Sequence, residues 1–375
     1  MKKAFVGMSG GVDSSVSAAL LKRAGYDVTG VFIKVWQPDW IECDWREERL
    51  DAMRAAAHLR IPFVTLDLEA EYKKEVIDYM ISEYRAGRTP NPDVMCNRYV
   101  KFGAFWRWAA KNGADFIATG HYARIEERGG GRKKEGVRSM GEGAGRAGNG
   151  FRLLAGIDPN KDQSYFLWTL TQDDLSHTLF PVGGLLKSEV RSLARKFGLP
   201  NADKKDSQGL CFIGKVDVKA FLAHYIKSEP GDVIDDSGKK IGKHPGSVFF
   251  TIGERHGFMI DPDKRSPNDQ PYYVVSKDVV NNTITVSNKE GGDRPSASDA
   301  VRLSKANWIS GSAPGSADRS MARSRYRQPL QALKEIECRT TETKVVFEKA
   351  QESLTPGQSL VIYRGEECLG GGIIE

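Results

Sequence analysis

The sequence predicts an α/β domain with a parallel sheet, followed by a small central β-rich domain and a C-terminal β-barrel. Three observations carry that expectation. Residues 1 to about 125 alternate strand-like and helix-like stretches, the texture after about Val216 changes to short strands and turns, and a composition shift at Gly291 to Pro295 divides the β-rich half in two. At roughly 150 residues per domain, a chain of 375 residues suggests two or three domains. The expected boundaries are 1–215, 216–292 and 293–375.

The elements follow in order. "KKAFVGM" reads as a short apolar strand, Ser14 to Arg23 as a helix, "DVTGVFIKVW" as a second strand and Glu47 to Leu59 as a second helix. "PFVTLDL" is a third strand, Glu71 to Tyr84 a third helix, and "ADFIATGH" a strand after a helix around Phe102 to Ala110. Strands and helices alternating in this way imply a parallel sheet covered on both faces, with ligands at the carboxyl ends of the strands. Residues 129–150, "GGGRKKEGVRSMGEGAGRAGNG" with its first glycine, have almost no large apolar side chains and read as a flexible surface insertion. A charged helical region follows to about Lys215, in which Val190, Leu193, Ala194 and Phe197 recur at helical spacing. Beyond it, turn pairs such as Asp-Ser-Gly and Asn-Asn argue for small antiparallel sheets or barrels.

Composition narrows the function. Hydrophobic residues make up 40% and charged residues 28%, as in ordinary globular proteins, and nothing approaches eighteen consecutive apolar residues. "MKKAFVGMSGG" lacks the form of a signal peptide and reads as the first strand of a cytoplasmic protein. The five cysteines are scattered, without a C-x-x-C pair, so neither a disulfide framework nor a zinc or iron-sulfur site is indicated. A net charge of +6 is compatible with a solubility device, but Arg319 to Arg327 sets four arginines beside a tyrosine, which suits a polyanionic partner.

The first candidate site is "GMSGGVDSS", Gly7 to Ser15. A strand ending at Met8, a turn at Ser9-Gly10-Gly11 and a helix from near Asp13 aim backbone N–H groups at an anion. Val12, Val16, Ala19 and Leu20 form a helical stripe expected to pack on the sheet. No lysine follows the glycines, so this is not the G-x-x-x-x-G-K-[ST] loop. Ser9, Ser14 and Ser15 offer hydroxyls, and Asp13 suits either magnesium or the helix end.

The second is "AGRTPNPDVMCNRYVKF", residues 86–102. Pro90 and Pro92 exclude regular helix over Thr89 to Pro92, which sets Asp93 and Cys96 at a loop-to-helix junction. There a helix N-terminus, Arg98 and Lys101 favour a thiolate. Cys211, in "KKDSQGLCFIG", also follows a polar loop, and the residues alone leave it open between core filler and a sulfur carrier paired with Cys96.

"SGGVDS" resembles the PP-loop of the ATP pyrophosphatases, an adenine nucleotide α-hydrolase-like fold whose members cleave ATP between its α and β phosphates. With "AGRTPNPDVMCNRYVKF", "ATGHYAR", "NKDQSYFL", "KKDSQGLCFIG", "TIGERHGF", "SRYRQ" and "LTPGQSLVIYRGEECLGGGIIE", the chain resembles the tRNA-specific 2-thiouridylases from end to end. The resemblance implies ATP-dependent 2-thiolation of the wobble uridine of tRNA, with ATP and Mg2+ as cofactors. By similarity, Gly7, Met8, Ser9, Gly10, Gly11, Val12, Asp13 and Ser14 hold ATP, Ile33 backs the adenine and Gly120 lies at the nucleotide. Cys211 receives a persulfide from a cytoplasmic sulfur relay that starts at a cysteine desulfurase, Cys96 is the nucleophile, and Asp93 is the general acid/base. Cys96 then either closes a transient disulfide with Cys211 or releases hydrosulfide. Asn91, Pro92 and Asp93 border the target base, and His121, Lys161, Asp162, Gln163, Arg325, Tyr326 and Gln358 match tRNA contacts. Read without the resemblance, His121 is equally a structural histidine, and Lys161 to Gln163 a solvated turn. The partners implied are tRNA and the sulfur donor, with no membrane and a monomeric enzyme.

The chain departs from the family at Glu254, His256 and Phe258, where Gln, Lys and Leu are usual, at Gln208, and in the length of the 129–150 insertion. A small-molecule PP-loop ligase would need neither cysteine nor a basic β-rich tail, a tRNA-binding protein without activity would not need the intact loop, and an iron-sulfur thiolase would want clustered cysteines.

Overall fold

A computed structural model describes residues 1–40, 45–128, 150–205, 217–264, 270–289, 297–315, 319–339, 342–352 and 354–375. The first strands are β1 (Lys3–Gly7), β2 (Asp27–Lys34), β3 (Phe63–Asp67) and β4 (Phe116–Ala118), then the hairpin β5 (Ala123–Glu127) and β6 (Phe151–Ala155), then β7 (Thr178–Leu179). The helices between them are α1 (Val12–Arg23), α2 (Trp45–Leu59), α3 (residues 69–85) and α4 (residues 92–111), followed by α5 (Gln172–Ser176), α6 (Lys187–Lys196) and α7 (Val218–Tyr225).

Alternation along β1 sorts its side chains to opposite faces. Phe5 joins Val31, Ile33 and Leu66 under α3 and α4, whereas Ala4 and Val6 join Met8, Val28 and Phe32 under α1 and α2. The resulting sheet, β3-β2-β1-β4-β7, is parallel throughout, with β1 and β4 buried at its centre and β3 an exposed edge. Its fifth strand, β7, lies in the stretch whose charge reads as helical, and two residues are too few to show alternation.

One detail departs from the expected packing. Val12, Val16 and Leu20 do not face the sheet: they pack with Val190, Ala194, Leu199 and Ala202, on and just after α6. The sheet side of α1 is formed by Ala18 and Leu21. Helix α1 lies between two layers, so it has two buried faces, and its larger apolar stripe marks the outer one.

The central unit contains β8 (Gly231–Ile234), β9 (Lys240–His244), β10 (Met259–Ile260), β11 (Tyr273–Asp278) and β12 (Thr283–Ser287), in the order β10-β9-β8-β12-β11. It is not wholly antiparallel, because β12 lies parallel to β8. The last unit contains β13 (Ser298–Trp308), β14 (Met321–Arg323), β15 (Gln331–Cys338), β16 (Thr343–Gln351), β17 (Ser359–Arg364) and β18 (Glu367–Ile374). The ring β13-β16-β15-β14-β17-β18 closes through pairing of β18 with β13, a six-stranded barrel. The β5–β6 hairpin continues this sheet, since Leu153 and Leu154 pair with Cys368 and Glu367.

A wedge from the first unit fixes the barrel. Tyr165 donates its hydroxyl proton to Ser324 O and Ser359 O, each at 2.9 Å, and Trp168 Nε1 donates to Ser359 Oγ at 3.1 Å. Both rings are fully buried, each stabilising the contact by roughly 1.5–3 kcal/mol as area removed from water.

Candidate active site

The phosphate loop is built as its composition requires. Met8 N extends the β1–β2 ladder by one bond to Val31 O (2.8 Å), and the chain then turns at Gly10, whose φ is +77°. A Cβ on Gly10 would stand 2.3 Å from Glu48 O, so glycine is needed both for the torsion and for the close approach of α2. Ser14 Oγ and Ser15 Oγ donate to Gly11 O at 3.1 and 3.0 Å, and Ser9 N donates to Ser14 Oγ at 3.3 Å. Ser9 itself is exposed and available to a ligand.

Of the two roles that the sequence allows Asp13, helix capping is not the one adopted. The N-cap is Gly11, with no side-chain cap bond. Asp13 Oδ1 instead accepts from Tyr122 Oη at 2.9 Å and Lys187 Nζ at 2.6 Å. The ammonium absent from the loop sequence is thus supplied from α6. Lys187 stands at the first helical position, where the helix dipole disfavours a cation, and that oddity is the one signal by which the sequence marks it.

Asn201 has no such signal. It is buried, and its Nδ2 donates to Gly10 O (2.9 Å), Gly11 O (3.3 Å) and Ser15 Oγ (2.9 Å). Gly120 meets the same helix end: a Cβ there would stand 2.7 Å from Ser14 N and 2.9 Å from Asp13 C. Ile33 is buried, with its Cδ1 beside Gly7. Next to the loop, a cleft of about 540 Å³ is lined by Glu47, Glu48, Asp51 and residues 199–204, and Lys204 is paired with Asp51.

Among the described residues no group of three or more His, Cys, Asp or Glu side chains could hold a metal by itself. Magnesium carried by nucleotide phosphates needs only one or two carboxylates, and Asp13, still one-third exposed, fits that smaller demand.

Helix α4 begins as "NPDVMC" predicts. Asn91 is the N-cap and accepts from Val94 N at 3.4 Å, and Pro92 takes the first helical position. Asp93 is half-buried in the first turn, and Cys96 is fully buried. From Cys96 to Ala104 the helix is π-wound, a form frequent at functional sites. The C-terminal end of α4 leads back to the start of β4, so the helix runs antiparallel to the strands. Phe105 is level with Gly7 at the end of β1. At up to 1.5 Å per residue, Cys96 lies roughly 10–14 Å further out, beyond the carboxyl edge of the sheet.

The residues expected at tRNA divide into two groups. Asp162 is buried: Oδ1 accepts from Gly156 N and Ser164 N, and Oδ2 pairs with Arg323 at 2.6 Å. Gln163 Oε1 accepts from Tyr122 N at 3.0 Å, so Lys161 to Gln163 is a stapled turn rather than a solvated one. Lys161 itself is half-exposed. His121 is buried between Phe102 and Phe180, hydrogen-bonded to Thr119 Oγ1 at 2.7 Å, and burial pushes its pKa well below the usual value. Gln358 Nε2 donates to Thr89 O at 3.0 Å and so braces the loop leading to Asn91. Arg325 is exposed, with Nη2 on Ile252 O, and Tyr326 packs on Phe166 at 4.8 Å. Of the four clustered arginines, Arg323 is therefore an internal strut, while Arg319, Arg325 and Arg327 face solvent.

Glu254, one of the departures, accepts from Lys219 and from Thr251 N, next to the Thr251–Thr89 hydroxyl contact of 3.2 Å. Cys211, Gln208 and the 129–149 insertion lie outside the described residues.

A glycine-serine loop at the carboxyl edge of a parallel sheet, with a carboxylate in its helix and no lysine of its own, defines an α/β nucleotide-binding protein of the PP-loop kind. Family models match the three units in turn: a tRNA methyl transferase HUP domain over residues 2–215, a tRNA methyl transferase PRC-barrel domain over 219–288 and an aminomethyltransferase beta-barrel domain over 298–374. Relatives named tRNA-specific 2-thiouridylase MnmA include that of Hahella chejuensis, 44% identical over 100% of this chain and 97% of its own. Those of Methylococcus capsulatus (44%, over 99% and 95%) and Francisella tularensis subsp. novicida (41%, over 100% and 99%) are similar. The chain belongs to the tRNA-specific 2-thiouridylase family. Two solved structures, NMN synthetase from Francisella tularensis and the U34-tRNA thiolase NcsA from Methanococcus maripaludis, are 15% and 16% identical. They match 55% and 60% of this chain and 66% and 65% of theirs, with TM-scores of 0.30 and 0.34.

Proposed function

We propose that the chain is a tRNA-uridine 2-sulfurtransferase that converts the wobble uridine, position 34, to 2-thiouridine at the expense of ATP. The observation that supports it most is the pairing, in one α/β unit, of a lysine-free phosphate loop at the carboxyl end of β1 with an asparagine-capped helix start that carries Asp93 and Cys96. Methyl transfer, the activity in the family label, makes no use of a loop that grips phosphates.

The loop holds the β and γ phosphates while O2 of the uridine attacks the α phosphorus and pyrophosphate leaves. Backbone N–H groups and Lys187 stabilise the leaving charge. Magnesium, held by Asp13 with the phosphates, supplies further neutralisation when bound. The terminal sulfur of a Cys211 persulfide then attacks C2, and AMP departs with the former carbonyl oxygen. Cys96 thiolate attacks the Cys211 sulfur, closing a disulfide and leaving the transferred sulfur on C2, and a thiol reductant restores both cysteines. In the alternative order, Cys96 first releases hydrosulfide, which attacks C2. Asp93 moves the proton at the base. The persulfide comes from a cysteine desulfurase or a relay protein, and the reading includes a monomeric, cytoplasmic enzyme that contacts tRNA through Lys161, Arg325 and Tyr326. Because Cys96 is buried, tRNA binding opens the start of α4.

The test incubates the protein with tRNA, ATP, magnesium and a persulfide donor and measures 2-thiouridine and AMP. Both are expected. Product formation persisting in Cys211→Ala removes the persulfide step, and uridine thiolation without ATP cleavage removes adenylation.

A further inference from the structure

We propose that Asn201 is a positioning residue for nucleotide binding: it turns the loop amides outward by anchoring the loop carbonyls from behind. The inference rests on reading Ser9–Ser14 as the ATP site.

Two of the three acceptors that face the Asn201 amide are backbone carbonyls, Gly10 O and Gly11 O, which can only accept. The nitrogen must therefore be the atom that faces them. It also reaches Ser15 Oγ, and this hydroxyl donates in turn to Gly11 O. Asn201 is 6% exposed, and its Oδ1 has no partner among the described residues, so the contacts seen there are those of its donors.

The peptide bonds here are trans, which sets each C=O opposite the next N–H. With Gly10 O and Gly11 O drawn towards Asn201, the N–H groups of Gly11 and Val12 point to the other side. There Gly11 N meets the exposed Ser9 hydroxyl at a long 3.4 Å, a bond weak enough to be exchanged for a phosphate oxygen. Glu48 O closes against Gly10, so the loop is held from two directions. An oxyanion cradle is effective only if its donors are oriented before the ligand arrives. Gly10, at φ +77°, is a residue that would otherwise move freely.

Asn201→Ala removes the anchor, and Asn201→Asp keeps its shape but sets a carboxylate against two carbonyls. Equilibrium binding of ATP, binding of unmodified tRNA and thermal melting are measured on the full chain. The expected result is ATP affinity reduced by about tenfold in Asn201→Ala and further in Asn201→Asp, with tRNA affinity within about twofold. ATP affinity within about twofold of wild type in a folded Asn201→Ala overturns the proposal, as does a parallel fall in ATP and tRNA affinity. Should Asn201→Ala not melt cooperatively, Asn201→Thr, which retains one donor, carries the same comparison with an intermediate loss expected. Wild-type protein that binds no ATP refutes the reading of the loop itself rather than the role of Asn201.

Discussion

Asp162 is held inside the protein, with two backbone amides on one oxygen and the Arg323 guanidinium on the other. Arg323 continues to Tyr363 Oη at 2.9 Å, and that hydroxyl meets Ser164 Oγ at 3.1 Å. Removing one member of a buried pair strands the other charge, at a cost of about 3–5 kcal/mol. Asp162→Ala is therefore expected to lose that much unfolding free energy in urea, read by tryptophan fluorescence, and Asp162→Asn less, since it keeps an acceptor for the two amides. A direct RNA contact predicts the opposite pattern, with tRNA affinity lost and stability unchanged. The sequence announces that Asp162 matters but not why: a short polar turn reads the same whether it meets RNA or an arginine 161 residues away. His121 poses the same ambiguity, which burial between two aromatic rings resolves towards the interior. The helix start at Asp93 and Cys96 was legible because two prolines fix the chain locally, with no distant partner required.

At the scale of elements, the strand-to-helix unit from β1 to α1 was legible because its signals are local: a short apolar strand, glycines where the torsion needs them, and a helical stripe. What the stripe could not show was which layer it meets. Tertiary topology decides that, and α6 takes the face which periodicity alone would give to the sheet. The end of β4 shows the same limit. Residues 116–118 are strand and Thr119 N still bonds Leu179 O, after which the chain turns away with Gly120 against the backbone of α1. Gly120→Ala forces a methyl group to within 3 Å of two backbone atoms at the loop. Overpacking against backbone costs about 1–3 kcal/mol, and here the strain falls on Asp13 and Ser14. The variant should fold with a lower melting temperature and bind ATP more weakly than wild type. Unchanged ATP affinity would mean that Gly120 supports β4 alone.

At the scale of the molecule, the three units meet at one residue of the first. Thr89 N donates to Pro356 O at 2.8 Å, Thr89 O accepts from Gln358, and Thr89 Oγ1 contacts Thr251 Oγ1. Both β-rich units thus hold the loop that leads into α4, and docking of the units is coupled to the placement of Asp93 and Cys96.

The response to acid belongs to the same scale, because buried histidines are spread over the units. His121 and His177 lie in the first and His244 in the second, and desolvation pushes all three below the ordinary histidine value. The unfolded chain takes up these protons near pH 6.5, while the folded chain resists them until its depressed values are reached. Between those limits the unfolded state binds more protons, so stability is full above about pH 6.5 and falls as pH falls, by up to about 1.4 kcal/mol per pH unit for each histidine. Carboxylates act in a separate window. Asp67, held low chiefly by the Glu69 backbone N–H, gives up its contribution only as pH falls below about 4. Urea unfolding between pH 7 and pH 5 should therefore show a loss of stability, and His177→Phe, which keeps a ring against Trp106, should flatten the slope. A slope unchanged by that substitution would assign the acid response to other groups.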